Sequence, residues 1–359
     1  MGMTGRVSTG TATGAGWAAD RSPRRDLMTG VLGTGLLLAV FVDGWAHFNR
    51  PGMESFFTPW HAALYAGLGL TGTWIALLVW RRRHDRTLWQ AIPPGYGLAV
   101  VGIAVFAAGG VLDMLWHEVL GIEVAVDALV SPTHLLLGAG GLLILGTGVR
   151  SRPAGSASAP WRAPAVLSLV LMTALVAFFQ LYTSAFAATT PTMGFTPIPE
   201  GAPGHEEAQL PVVAGLAGYL VTTAVLMLPL VYALATSARA PRGIVAAVVA
   251  PVAWLSVGVV GFPAVAVGGA VGATVAAVGA DLALARVTEG ALRRRLPWVA
   301  AAVTAALWAG QLTGMAVVDA LRWPVSLWLG AVVLSAGMAS ALALLARGPR
   351  ALAGPVEAA

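Results

Sequence analysis

Apolar stretches long enough to cross a bilayer recur along the whole chain, broken by short loops that carry most of its charge. A hydrocarbon core of about 30 Å is crossed by about 20 helical residues. Inside lipid every backbone N–H and C=O must be satisfied within the protein, so such stretches have to be helices. Laid along the sequence, that ruler gives ten spans, at 27–47, 59–80, 97–117, 132–149, 163–187, 211–235, 243–259, 263–285, 297–318 and 325–346. The expected fold class is therefore an all-α integral membrane protein. Only Gly261-Phe262-Pro263 separates the seventh and eighth spans, so these two could be one broken element. With 57% of residues hydrophobic and 10% charged, a soluble domain is excluded.

The formal charge of +5 would suggest nucleic acid in a soluble protein. Here the basic residues sit in loops and report topology, and no nucleic-acid partner is expected. If the N-terminus is cytoplasmic, the arginines of residues 1–26, of Arg81–Arg86, and Arg150, Arg152, Arg162, Arg239, Arg242, Arg286, Arg293–Arg295, Arg347 and Arg350 all lie inside. Only Arg50 and Arg322 fall outside, which is the asymmetry expected of a multi-pass protein with both termini in the cytoplasm. All 21 basic residues are arginine, and with so much alanine and glycine the composition points to a GC-rich bacterial genome and hence a bacterial cytoplasmic membrane. Residues 1–26 read as a disordered cytoplasmic tail and 347–359 as a second one. Arg24-Arg25 reads as a positive anchor in preference to a twin-arginine export signal, because no small-residue cleavage site follows. The loop 188–210, rich in proline, should fold as a short cap over the outer face. Absence of cysteine removes disulfides and thiolate metal sites together.

Against this background, "DGWAHFNRPGMESFFTPWH" (Asp43–His61) is anomalous, and it has a counterpart in "DMLWHEVLGIEVAVDALVSPTH" (Asp113–His134). "TPWHAALYAGLGL" aligns without gaps on "SPTHLLLGAGGLL", so residues 27–149 read as a metal-binding four-helix region built from two repeated hairpins. Asp43 and His47, like Asp113 and His117, stand four residues apart at the outer end of a helix, which puts carboxylate and imidazole on one face. Thr58 or Ser131 then caps the return helix, Pro59 or Pro132 occupies its first position, and His61 or His134 its first turn. Each hairpin can form a two-histidine, one-aspartate metal site. One such triad is more often a set of interfacial hydrogen-bonding residues. Placing four of the chain's six histidines equivalently in two hairpins favours ligands, because each group is costly near hydrocarbon and needs a partner.

These motifs resemble the C subunit of the copper membrane monooxygenases, the particulate methane and ammonia monooxygenases, over residues 27–149. In that family Asp-x-x-Trp-His is followed by Phe-Thr-Pro-x-His, and Asn-x-Trp-x-His by Pro-x-His. Asp113, Trp116 and His117 match the first half of the former motif, and Phe57, Thr58, Pro59 and His61 its second half. Trp45, His47, Pro59 and His61 match the other segment, with Asp43 in place of the asparagine. The resemblance implies that both segments bind metal, and that the metal is copper. It departs from the family in the order of the two motifs and in a longer His117–His134 gap, so the second site could use Glu118, Glu123 or Asp127.

By the residues alone, two imidazoles and a carboxylate suit copper, iron, zinc or manganese. Copper is the expected cofactor, with iron or zinc as alternatives, and Met53 and Met114 beside the sites agree weakly with it. Three functions remain open: an oxidative enzyme or its metal-bearing subunit acting on a small apolar molecule that arrives through lipid, a copper-handling or transport protein, and a bis-histidine haem protein. Further membrane subunits or self-association are compatible with each. Trp45, Phe56, Phe57 and Trp60 around the first site make it the expected substrate-facing one. Gln180, Tyr182, Thr183, Ser184, Gln311 and Thr313 read as links between helices, and Asp281 as the partner of Arg286 or the arginine loop.

Overall fold

A computed structural model describes residues 22–50, 56–84, 86–121, 126–153 and 161–347, with the backbone only of Asp127 and Glu289. Among the described residues all regular structure is helical. The helices are α1 (Pro23–Asn49), α2 (Pro59–Arg82), the short α3 (Leu88–Ala91), α4 (Gly97–Leu120), the short α5 (Asp127–Val130), α6 (Pro132–Leu145) with its continuation α7 (Thr147–Arg150), α8 (Ala163–Phe179), α9 (His205–Ala235), α10 (Ile244–Val259), α11 (Ala264–Leu284), α12 (Glu289–Val318) and α13 (Val325–Arg347). Eight are long and apolar enough to cross a membrane, counting α6 and α7 as one, while α8 and α10 are shorter apolar helices. The chain is a multi-pass membrane protein of helical-bundle type.

Several boundaries differ from the sequence reading. Residues 23–26 belong to α1 and not to a tail, because Ser22 caps the helix and Pro23 can occupy its first turn without losing a hydrogen bond. Arg347 likewise ends α13. The expected tails otherwise fall outside the described residues. The fifth helix stops at Phe179, short of 187, and gives way to a 3-10 turn at Leu181–Thr183. The segment after it is buried, and its backbone is satisfied by side chains from other helices: Thr222 accepts from Ala185 N (3.0 Å) and Gln311 donates to Ala185 O (3.0 Å). Part of the presumed outer loop, from His205, is already helix α9. α10 and α11 are separate helices, joined by a turn in which Gly261 and Phe262 both have positive φ.

Glycine sets the closest helix contacts. A methyl group added at Gly140 of α6 would lie 2.6 Å from Phe106 N and 2.8 Å from Gly102 O of α4. Gly268 and Gly272 of α11 meet Gly314 and Gly310 of α12 in the same way, backbone on backbone. This is how helices associate in lipid, where packing replaces the hydrophobic drive. Asn49, the last residue of α1, donates to Val259 O at the end of α10 (2.7 Å), which ties the Asp43–His47 end of α1 to the α10–α11 turn. Asp281, near the other end of α11, accepts from Val245 N (3.1 Å) and Ala246 N (2.8 Å). It caps α10 rather than pairing with Arg286, since the N-cap residue there is Gly243, which has no side chain to do so.

Candidate metal centre

The caps expected at the two return helices are present. Thr58 Oγ1 accepts from His61 N (3.2 Å) and Ser131 Oγ from His134 N (3.4 Å), with Pro59 and Pro132 at the first helical positions. Both caps hold a histidine at the third helical position, turned toward the end of the preceding helix. Asp43 and His47 lie one turn apart near the end of α1, and Asp113 and His117 near the end of α4.

Within each pair of helices the aspartate is the hub. Asp43 lies 3.8 Å from His47 Nε2 and 3.5 Å from His61 Nε2. Asp113 lies 3.5 Å from His117 Nε2 and 3.3 Å from His134 Nε2. The two hairpins' histidines lie side by side. His61 and His117 rings are 6.1 Å apart, so the four imidazoles form one file: His47, His61, His117, His134. Two groups of three have ligand atoms within 4.8 Å of one another, Asp43/His47/His61 and His61/Asp113/His117. His61 belongs to both, and His134 joins the second through Asp113. The reason is packing: α2 meets both α1 and α4 at this level, so its histidine is presented to both aspartates.

Hydrogen bonds on the far side of the rings orient them. His61 Nδ1 lies 2.6 Å from Phe56 O, and a carbonyl can only accept, so the ring proton is on Nδ1. His61 Nε2 and Asp43 Oδ1 are buried, face one another, and have no hydrogen bond. His47 Nε2 is likewise buried without a hydrogen bond. His134 Nδ1 is held by Ser131 Oγ (2.7 Å) and His117 Nδ1 lies 3.4 Å from Gly121 O. Outer partners of this kind fix which nitrogen is offered to a metal.

One contributor, Thr133, escaped the sequence reading, and Phe56, expected beside the first site, reaches both hairpins. Thr133 Oγ1 donates to Asp113 Oδ1 (2.8 Å) from within the second cap. The signal for it was the mismatch just before the histidine, Thr133 against Trp60. Phe56 stacks on His61 (4.7 Å, 17°) and lies 5.9 Å from His117, closing the file on one side. Of the acids expected to complete the second site, Glu118 is exposed, while Glu123 and the Asp127 side chain, like Met53, lie outside the described residues. Asp43, His47 and His134 also line an apolar cavity of about 370 Å³, together with Tyr182 from the expected polar stretch. Gln311 instead accepts from Tyr219 Oη (2.7 Å) in the bundle core. No protein-family model, curated protein or solved structure matches this chain, so the likeness to the copper monooxygenase subunit rests on the motifs alone.

Proposed function

We propose that the protein is a membrane metalloprotein in which Asp43, His47, His61, Asp113, His117 and His134 hold copper in a fixed oxidative centre of the membrane monooxygenase kind. One observation carries the reading. With its proton committed to the Phe56 carbonyl, His61 turns a lone pair toward the Asp43 carboxylate at 3.5 Å. Two buried electron-rich atoms at that spacing need a positive charge between them, a proton or a metal ion, and the donor spacing favours the metal. Metal–donor bonds of about 2.0–2.2 Å place two donors roughly 3–4 Å apart, and the four His–Asp separations here are 3.3, 3.5, 3.5 and 3.8 Å. Bound copper would supply one-electron chemistry; the protein supplies three to six donors, the orientation of each ring and a dry surround.

The alternatives are less well supported. A carrier needs ligands along its route, yet the carboxylates at the opposite end of the bundle are committed: Asp26 to Tyr96 and Arg25, and Asp281 to the start of α10. Bis-histidine haem is disfavoured because Asp43 and Asp113 already contact the nitrogens that would bind iron. The same proposal keeps ten spans, with α8 and α10 also crossing. It places the centre at the outer face of a bacterial cytoplasmic membrane and both termini in the cytoplasm, on the strength of the arginine asymmetry.

Elemental analysis of the purified full chain together with paramagnetic resonance tests this reading, and also separates copper from iron and zinc. We expect copper with nitrogen ligation, lost in His61→Ala. A metal-free protein, or full metal retention in the His61→Ala, His117→Ala double variant, overturns it.

A further inference from the structure

The cavity beside the centre has a graded lining. Asp43, His47 and His134 form a polar corner. From there the space extends inward past Val40, Phe106, Leu137 and Leu175, each at least about one helical turn deeper along its helix than the site residues or the α8 rings. Two rings of α8 form its wall, and each is seated on a glycine. A methyl group at Gly138 would lie 2.6 Å from Phe179 Cε2, and one at Gly44 would collide with Phe178. The volume is about 370 Å³. A cavity of about 150 Å³ accommodates benzene, so this one admits an apolar body on the order of 12 heavy atoms. Among the described residues, no charged side chain outside the proposed ligand set lines it.

We propose that this cavity binds an aliphatic chain of medium length carrying at most one uncharged polar group. The polar or reacting end lies at Asp43, His47 and His134, the chain runs inward past Phe178 and Phe179 and between Leu137 and Leu175, and Phe106, two helical turns below Asp113 on α4, sets the length accepted. The inference rests on the metal-centre reading for the role of the polar corner, but not for the binding itself. A space far larger than a diatomic gas or a one-carbon molecule, walled by hydrocarbon and two fixed rings, selects by chain length and excludes charge.

The test uses the full chain in phospholipid nanodiscs, free of metal, photolysed with a diazirine derivative of decanol. Adducts are mapped by mass spectrometry. Labelling should concentrate around Val40, Leu137 and Leu175, saturate, and be displaced by excess decanol. Val40→Phe, which fills the space, should weaken it about tenfold. Phe106→Ala should extend labelling to the hexadecanol derivative, a gain that misfolding cannot produce. Labelling confined to lipid-facing positions such as Leu77, Val275 and Leu345, and indifferent to Val40→Phe, overturns the proposal. So does labelling of the cavity only after the phospholipid is stripped away, which would make a lipid acyl chain the occupant. Zinc binding measured on the same discs separates the two readings: a labelled cavity without metal binding sinks the centre alone, and metal binding with an unlabelled cavity sinks the cavity alone.

Discussion

Thr133→Val is the most discriminating perturbation of the centre, because it removes one hydroxyl and leaves the shape of the side chain. Thr133 Oγ1 donates to Asp113 Oδ1 at 2.8 Å, and both residues are buried, so no water can replace the bond without rearrangement. A hydrogen bond to a charged group contributes about 1.5–3 kcal/mol. Loss of an outer-shell partner of a metal ligand typically weakens binding about 10–100-fold, which is about 1.4–2.7 kcal/mol. The two estimates agree, and they set the expected effect at one to two decades in metal affinity. Chelator competition with zinc or copper on detergent-purified protein measures it directly. Trp60→Phe at the aligned position of the first hairpin is the control. Trp60 packs against Trp45 and makes no bond to Asp43, so it should leave affinity within about threefold, or under 1 kcal/mol. Equal affinities for wild type and Thr133→Val would refute the claim that Asp113 is a ligand positioned by this hydroxyl.

Other consequences are as concrete. His61→Ala should lower metal content more than His47→Ala or His134→Ala, since His61 alone belongs to both donor groups; elemental analysis of the three variants decides, and equal losses would restore two independent hairpin sites. Asp281→Ala should cost about 1–2 kcal/mol through the lost cap of α10, seen as a lower unfolding temperature with unchanged metal content. Gly272→Leu should abolish monodisperse protein on size exclusion, because the α11 and α12 backbones touch there and overpacking costs about 1–3 kcal/mol or more. Reporter fusions between Arg83 and Ile92 should report the cytoplasm; an external signal there would invert the topology.

What the sequence made legible is what depends on local chemistry. Apolar length announces helices, and ten of the observed helices lie where apolar length placed them. Ser/Thr followed by Pro and then His announces a capped helix start with a histidine in its first turn, and both caps have that geometry. The end of α8 could not be read. No Gly or Pro in residues 180–187 signals a stop, and the chain leaves the helix there with its unwound backbone satisfied by Thr222 and Gln311, about 40 and 130 residues later in sequence. Asp281 was misread for the same reason: its partners are two amides on another helix, which no charge pattern reveals.

The metal centre shows the boundary between local and tertiary information most sharply. Spacing within each hairpin predicts Asp–His pairs four residues apart, and those pairs are present, but spacing says nothing about the distance between hairpins. That distance is set by how α2 packs on α1 and α4, and it makes two presumed sites into one file of imidazoles sharing His61. The consequence is asymmetry between the two hairpins. Asp113 receives a hydroxyl from Thr133, whereas Asp43 Oδ1 has no hydrogen bond, and Asp43 lines the cavity with His47. A carboxylate held by a protein donor binds an ion in a fixed geometry, and one facing an apolar chamber leaves room for something else beside the ion. If so, exchanging the two residues, Trp60→Thr with Thr133→Trp, should not simply relocate the tight position to the first hairpin. The cavity stays beside Asp43 whatever occupies position 60, so the double exchange should weaken metal binding at Asp113 without creating an equal gain at Asp43. Paramagnetic resonance of the exchanged protein would show this as loss of one environment, and the appearance of a mirror-image pair of environments would refute it.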